Sequence, residues 1–228
     1  MTQIMVIEDQ FSHCEIIQFY LSQDDQYQCT FTHCAEDAYQ LIQFNHFDLF
    51  LLDIRLPNMN GIELCREIRR NYFAPIIFMS CMDDDDTVIK AIKMGGDDYL
   101  VKPFSAQLLL AHIEANLRRY HPDCPDDKVI ISKDLKLNYA SHTVYKNEEK
   151  ILLSPTEYQL LSIFMQNKGE FITFEDLYTR VWQQPSLSDI RTLFVHVSSL
   201  RRKIEDDPSN PAYILTHQRK GYIFTEGY

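Results

Sequence analysis

Two apolar runs that stop on carboxylates constrain this chain more than any other feature of it. Ile4-Met5-Val6-Ile7 ends at Glu8-Asp9, and Phe47-Asp48-Leu49-Phe50-Leu51-Leu52 ends at Asp53. Runs of large and β-branched apolar residues with little polar alternation form strands covered on both faces, as in a parallel sheet. Their carboxylates then meet at one edge of that sheet. Burying an unpaired carboxylate is costly, so acids gathered at the carboxyl ends of adjacent strands need a cation or a chemical purpose.

Strand-like runs at Ile4–Ile7, Gln28–His33, Leu49–Asp53, Ile76–Ser80 and Tyr99–Val101 alternate with helical runs at Gln10–Ser22, Ala35–Phe44, Gly61–Asn71, Thr87–Met94 and Ser105–Tyr120. Such βα units predict an α/β domain over residues 1–120, a doubly wound five-stranded parallel sheet whose crevice receives Asp9, Asp53, Ser80 and Lys102. The segment His121-Pro122-Asp123-Cys124-Pro125-Asp126-Asp127 has no periodic apolar face and reads as a linker over 121–127. Residues 128–228 then form a second, α+β domain, with short strands at Val129–Ile131, Lys136–Tyr139, Thr143–Lys146 and Ile151–Leu153, helical stretches, and a closing hairpin over Tyr213–Phe224.

The formal net charge of −11 argues against general affinity for nucleic acid, but the charge is uneven: 9 Lys+Arg against 18 Asp+Glu in residues 1–120, and 13 against 15 beyond. The second half gathers Arg191, Arg201, Arg202, Lys203, Arg219 and Lys220, and local patches matter more than net charge for such binding. The six cysteines form no CxxC pair, which fits free thiols in a reducing compartment. With no signal-like or membrane-spanning apolar run, the expectation is a soluble cytoplasmic protein.

Glu8-Asp9, Leu52-Asp53-Ile54-Arg55-Leu56-Pro57 with Gly61, Ser80, and Gly95-Gly96-Asp97-Asp98-Tyr99-Leu100-Val101-Lys102-Pro103-Phe104 together resemble the receiver of OmpR/PhoB-like two-component response regulators, which carry a winged-helix effector domain. The resemblance covers nearly the whole chain. It implies that Asp53 is the phosphoacceptor, that Mg²⁺ is held by Asp9, Asp53, the Arg55 carbonyl and Glu8 directly or through water, and that Ser80 and Lys102 contact the phosphoryl oxygens. It further implies a cis Lys102–Pro103 bond, a Ser80–Tyr99 switch, and catalysis limited to the receiver's own phosphoryl transfer and autodephosphorylation. Carboxylates and phosphate oxygens are what Mg²⁺ prefers, and a buried lysine is a compact charge for the transferred group. Cys81, beside Ser80, is a small neighbour of the phosphate or a redox handle; Asp83-Asp84-Asp85-Asp86 caps a helix or holds a second cation.

The implied partners are a sensor histidine kinase, promoter DNA, RNA polymerase and a second copy of the chain, with no membrane. Lys90, Asp97, Asp98 and Arg118 match charged positions of the family's dimer face, whereas Leu108 and His112 stand where it has a glutamate and an arginine. A more apolar contact, pH-sensitive through His112, is expected. In the effector half, Leu153-Ser154-Pro155-Thr156-Glu157 opens a helix. Further on, Leu193, Val197, Leu200 and Ile204 make a buried stripe. That stripe leaves Arg191, Thr192, Val195, Ser199 and Arg202, flanked by His196 and Lys203, on a face that suits a DNA major groove, and the resemblance implies that Arg219 and Lys220 belong to a wing over the minor groove. Phe194 and His217-Gln218-Arg219 depart from the family pattern, so the target sequence does not carry over. An aspartyl-phosphate phosphatase would want an acid at residue 55, where Arg55 stands. A DNA-binding regulator independent of phosphorylation remains the alternative.

Overall fold

The computed structural model describes residues 1–82, 84–120, 128–182 and 190–226, excepting the side chains of 119 and 120. The expected linker, Cys124 and Asp83 lie outside the described residues. Contacts divide the chain into Met1–Tyr120 and His121–Tyr228.

In the first unit, β1 (Thr2–Ile7), β2 (Tyr27–Thr32), β3 (Leu49–Asp53), β4 (Ile76–Ser80) and β5 (Asp98–Val101) form one parallel sheet in the order β2-β1-β3-β4-β5. They alternate with α1 (Phe11–Leu21), α2 (Ala35–Phe44), α3 (Gly61–Asn71), α4 (Asp85–Lys93) and α5 (Ala106–Tyr120). Strand side chains alternate between faces. Met5, Ile7, Phe50, Leu52, Ile76 and Phe78 pack beneath α2, α3 and Ala91 of α4. Ile4, Val6, Leu49, Leu51, Ile77 and Met79 pack beneath Ile17 and Leu21 of α1 and Leu109 and Ile113 of α5. Both faces are covered, as the unbroken apolar strands require.

The predicted bounds of α2, α3, β3 and β4 coincide with those observed, whereas α4 starts ahead of Thr87 because Asp84 is its cap, accepting from Thr87 N at 2.8 Å. That bond to the backbone holds the Asp84 carboxyl below its ordinary range. Of the acidic run, the described Asp84, Asp85 and Asp86 therefore act as cap and first turn. Gly61 lets the loop return against the site: a Cβ there would lie 2.0 Å from the Asp53 carbonyl oxygen.

The second unit begins with an antiparallel sheet of β6 (Val129–Ser132), β7 (Leu135–Asn138), β8 (Thr143–Lys146) and β9 (Glu149–Ile151). Then come α6 (Pro155–Gln166), β10 (Phe171–Thr173), α7 (Phe174–Trp182), α8 (Arg191–Ile204), and the hairpin of β11 (Ile214–His217) and β12 (Gly221–Phe224), which β10 joins on the β12 side. Ser154, Pro155 and Glu157 form a capping box with proline in the first turn of α6. Leu160, Leu161, Phe164, Leu193, Val197, Leu200 and Ile214 are fully or almost fully buried, so the α6–α8 contact and the hairpin share one core.

Candidate functional site

The site at the carboxyl ends of β1, β3, β4 and β5 is built around a lysine. Lys102 Nζ donates to Asp53 Oδ2 and to Glu8 Oε2, each at 2.5 Å, and the side chains of Glu8, Asp53 and Lys102 are 0%, 7% and 7% exposed. The other Asp53 oxygen accepts from the Arg55 backbone N–H at 2.7 Å. Burial opposes the charge on Lys102, and the hydrogen bonds and charges of Asp53 and Glu8 outweigh it, leaving its pKa raised. The Lys102–Pro103 bond is cis.

Glu8 rather than Asp9 meets Asp53, which reverses the expected order of the acidic pair. Ile4, Val6 and Glu8 share a strand parity with Leu49, Leu51 and Asp53, the face covered by α1 and α5. Asp9 has the opposite parity, is half-buried, and stands outside the group of potential ligand atoms formed by Glu8, His13 and Asp53, which lie within 4.8 Å of one another. His13, from α1, joins the site unforeseen: its Nδ1 is 3.1 Å from Glu8 Oε1 and 3.3 Å from Lys102 Nζ. The pattern of α1 marks Cys14, Ile17 and Leu21 as inward, but a histidine one position before Cys14 carries no family signal.

Ser80 is buried, and its Oγ accepts from Met82 N at 3.1 Å. Tyr99, half-buried, donates its hydroxyl to the Met82 carbonyl at 2.6 Å. The two expected switch residues thus both hold the backbone of Met82. Cys81 is exposed, whereas burial pushes the thiols of Cys14 and Cys29 up to about 11. Thiolate is the reactive form. At pH 8 iodoacetamide is therefore expected to label Cys81 well before Cys14 or Cys29, whose labelling climbs only toward pH 11; peptide mass mapping reads the order.

Not all the expected dimer-face charges are available at the surface. Lys90 and Arg118 are exposed, but Asp97 is wholly buried, ion-paired with Arg69 and accepting from Ile76 N at 3.0 Å. Asp98 is buried too, bonded to Asn116 Nδ2 and to His112 Nδ1, both at 2.8 Å. His112 therefore faces Asp98 of its own chain rather than Asp97.

The expected DNA-facing set divides in the same way. Arg191, Phe194 and Arg202 are exposed, and Thr192, Val195, Ser198 and Lys203 are half-buried. His196 and Ser199, expected outside, are buried. Ser199 Oγ donates to Glu157 Oε1 and Lys203 Nζ to Glu157 Oε2, both at 2.6 Å, because the capping glutamate of α6 needs donors from α8. Arg201 turns to the hairpin, donating to the Ile214 carbonyl at 2.6 Å and to Thr216 Oγ1 at 2.9 Å and lying over Tyr222. Glu205, unremarked in the sequence, accepts from the N–H groups of Ala212, Tyr213 and Ile214 at 2.8–3.1 Å. Arg219 and Lys220 are exposed, and the hairpin turns through Gln218 and Arg219, both with positive φ.

A doubly wound domain with a lysine-paired aspartate at its crevice, followed by a helical unit with a basic hairpin, is the architecture of a receiver attached to a DNA-binding effector. Residues 4–114 match the response regulator receiver domain, and residues 147–224 match the C-terminal domain of transcriptional regulatory proteins. The chain belongs to the OmpR/PhoB-type two-component response regulators and binds DNA. It is similar to the response regulator DrrB of Thermotoga maritima, an OmpR/PhoB homologue, at 29% identity over 99% of each chain with a TM-score of 0.52. A two-component response regulator from Clostridium difficile matches 52% of this chain and 98% of its own at 32% identity, TM-score 0.50. A cysteine-substituted mutant of RitR shares the fold over all of both chains, TM-score 0.83 at 24% identity. Among the described residues no helix is long and apolar enough to cross a membrane.

Proposed function

We propose that Asp53 takes a phosphoryl group from a sensor histidine kinase and that the acyl phosphate controls dimerisation and promoter binding. The observation that carries this reading is the Asp53 carboxylate itself, at the end of the central strand, with one oxygen on Lys102 Nζ at 2.5 Å and the other on Arg55 N at 2.7 Å. In the transfer a P–O bond forms to an Asp53 oxygen as the donor's P–N bond breaks and its imidazole leaves. Lys102 and the Ser80 hydroxyl stabilise the equatorial oxygens.

The buried carboxylates of Glu8 and Asp53 suit a divalent cation, for two anions share a single lysine. These two residues, with Asp9 and the Arg55 carbonyl at the rim, would hold Mg²⁺, which supplies charge neutralisation for phosphoryl oxygens when bound. Ser80, drawn to the phosphoryl group, would release Met82 N, and Tyr99 would report that change to α4, β5 and α5, where two copies meet.

On DNA, Arg191, Thr192, Val195 and Arg202 of α8 would read the major groove, and Arg219 and Lys220 the minor groove, with RNA polymerase recruited at the promoter. Replacing Arg191 or Arg202 by Ala is expected to weaken promoter binding and to lower the salt dependence by about one counterion each, measured as the slope of log affinity against log salt. An unchanged slope would remove that residue from the contact surface.

Sedimentation and promoter binding with Mg²⁺, with and without beryllofluoride, test the whole reading. A mimic-induced dimer with tighter DNA binding, lost in Asp53→Asn, supports it. Full dimerisation and DNA binding in Asp53→Ala without the mimic would favour phosphorylation-independent regulation, a reading encouraged by the burial of Asp97 and Asp98 in pairs within the chain.

A further inference from the structure

Two carboxylate oxygens and a ring nitrogen converge on the Lys102 ammonium: Glu8 Oε2 and Asp53 Oδ2 at 2.5 Å and His13 Nδ1 at 3.3 Å. The point where Nζ lies is thus one where this side-chain set already holds a cation. The imidazole reaches it from α1, and the phosphoryl-transfer reading gives it no task. Beside the convergence a cavity of about 300 Å³, lined by His13, Ile16, Tyr20, Cys81, Lys102 and Phe104, offers the lysine head room to move aside.

We propose that His13 is a third side-chain ligand of the divalent-cation site and shifts its preference from Mg²⁺ toward first-row cations that accept imidazole nitrogen, such as Mn²⁺, Fe²⁺ or Co²⁺. The inference rests on the reading of Glu8 and Asp53 as the metal-binding carboxylates. Mg²⁺ demands oxygen ligands in near-ideal octahedral geometry and gives up water reluctantly. A mixed set of two carboxylates and one imidazole favours cations that accept both donor types, in the order of the first-row series. His13 Nδ1 also lies 3.1 Å from Glu8 Oε1, so the competing role is that of a group which merely orients Glu8.

Mn²⁺ is the probe, since free thiols compete little for it. Full-length wild type, His13→Leu and His13→Gln are titrated with Mn²⁺ and with Mg²⁺, and the Mn²⁺ complexes are examined by pulsed electron paramagnetic resonance for nitrogen coupling. The expected result is imidazole-nitrogen coupling in the wild type that disappears in both variants. Mn²⁺ affinity should fall at least about tenfold while Mg²⁺ affinity changes far less. His13→Gln keeps a hydrogen-bonding side chain near Glu8, so nitrogen coupling is the readout that an orienting role would not produce.

A wild-type Mn²⁺ complex without nitrogen coupling, or equal Mn²⁺ affinity in wild type and both variants, overturns the proposal. If that protein still binds Mg²⁺ and dimerises with beryllofluoride, only the role of His13 falls. If neither cation binds at all, the metal-binding reading of Glu8 and Asp53 falls with it.

Discussion

Asp53→Asn protein incubated with Mg²⁺ and a small-molecule phosphoryl donor is expected to form no acid-stable, base-labile acyl phosphate, while wild type labels stoichiometrically. An amide oxygen carries no negative charge and cannot serve as the attacking carboxylate. The substitution preserves shape, so the loss comes from chemistry rather than from a collapsed crevice. Its effect on stability has a definite sign. Glu8 and Asp53, both buried, share one ammonium at 2.5 Å from each, leaving a net negative charge without a divalent cation. Removing one carboxylate leaves a single balanced pair, so urea stability in metal-free buffer is not expected to fall. Phosphoryl incorporation at wild-type levels in the variant would move the acceptor away from Asp53; a marked loss of stability would show the carboxylate to be structural.

Arg69→Met should cost more stability than any surface change, about 3–5 kcal/mol, because it strands a buried carboxylate. Asp97 is 0% exposed and the Arg69 side chain 10%, and the guanidinium also donates to the Gly95 carbonyl at 2.7 Å and the Ala74 carbonyl at 2.5 Å. One side chain therefore ties α3 to the turns before β4 and β5. Adding Asp97→Leu should recover part of the loss, since no charge is then left without its partner. The recovery stays incomplete because Ile76 N, which donates to Asp97 Oδ2, loses its acceptor at a cost of about 1–3 kcal/mol. Urea unfolding of the two single variants and the double variant measures the coupling. A loss below about 1 kcal/mol in Arg69→Met would mean that water or another donor reaches Asp97.

The parallel sheet was legible because its inner strands β1, β3 and β4 carry apolar runs covered on both faces and the strand lengths match the alternation of strand and helix. The short β10 was not, since its pairing with β12 joins residues some 50 positions apart and three residues carry no period. At the site, the placement of Asp53, Ser80 and Lys102 at the carboxyl ends of their strands was legible from the strand pattern. What failed was facing. Motif matching places Glu8 and Asp9 together, while strand parity sends only Glu8 toward Asp53. On α8 the stripe of Leu193, Val197, Leu200 and Ile204 was read correctly, but nothing in the Ser198-Ser199 pair says which serine turns inward. The choice is made by Glu157, 42 residues earlier, whose carboxylate accepts from Ser199. Asp97 was misread for the same reason: its partner Arg69 is 28 residues away, and only the folded chain brings them together.

The bonds from Arg201 to the Ile214 carbonyl and from Glu205 to the hairpin's leading N–H groups make α8 and the β11–β12 hairpin one rigid piece. In binding terms the pair is a bidentate ligand with a fixed bite. If α8 seats in one groove as proposed, the hairpin would reach its own groove at an effective concentration set by a stiff spacer instead of a floppy tether. The ordering entropy of the second contact is largely settled during folding, before any DNA is met. The cost of that arrangement would be intolerance: a duplex whose groove spacing does not match the bite could not take both contacts at once, so Arg201 and Glu205, which bond the hairpin, would set selectivity for DNA shape.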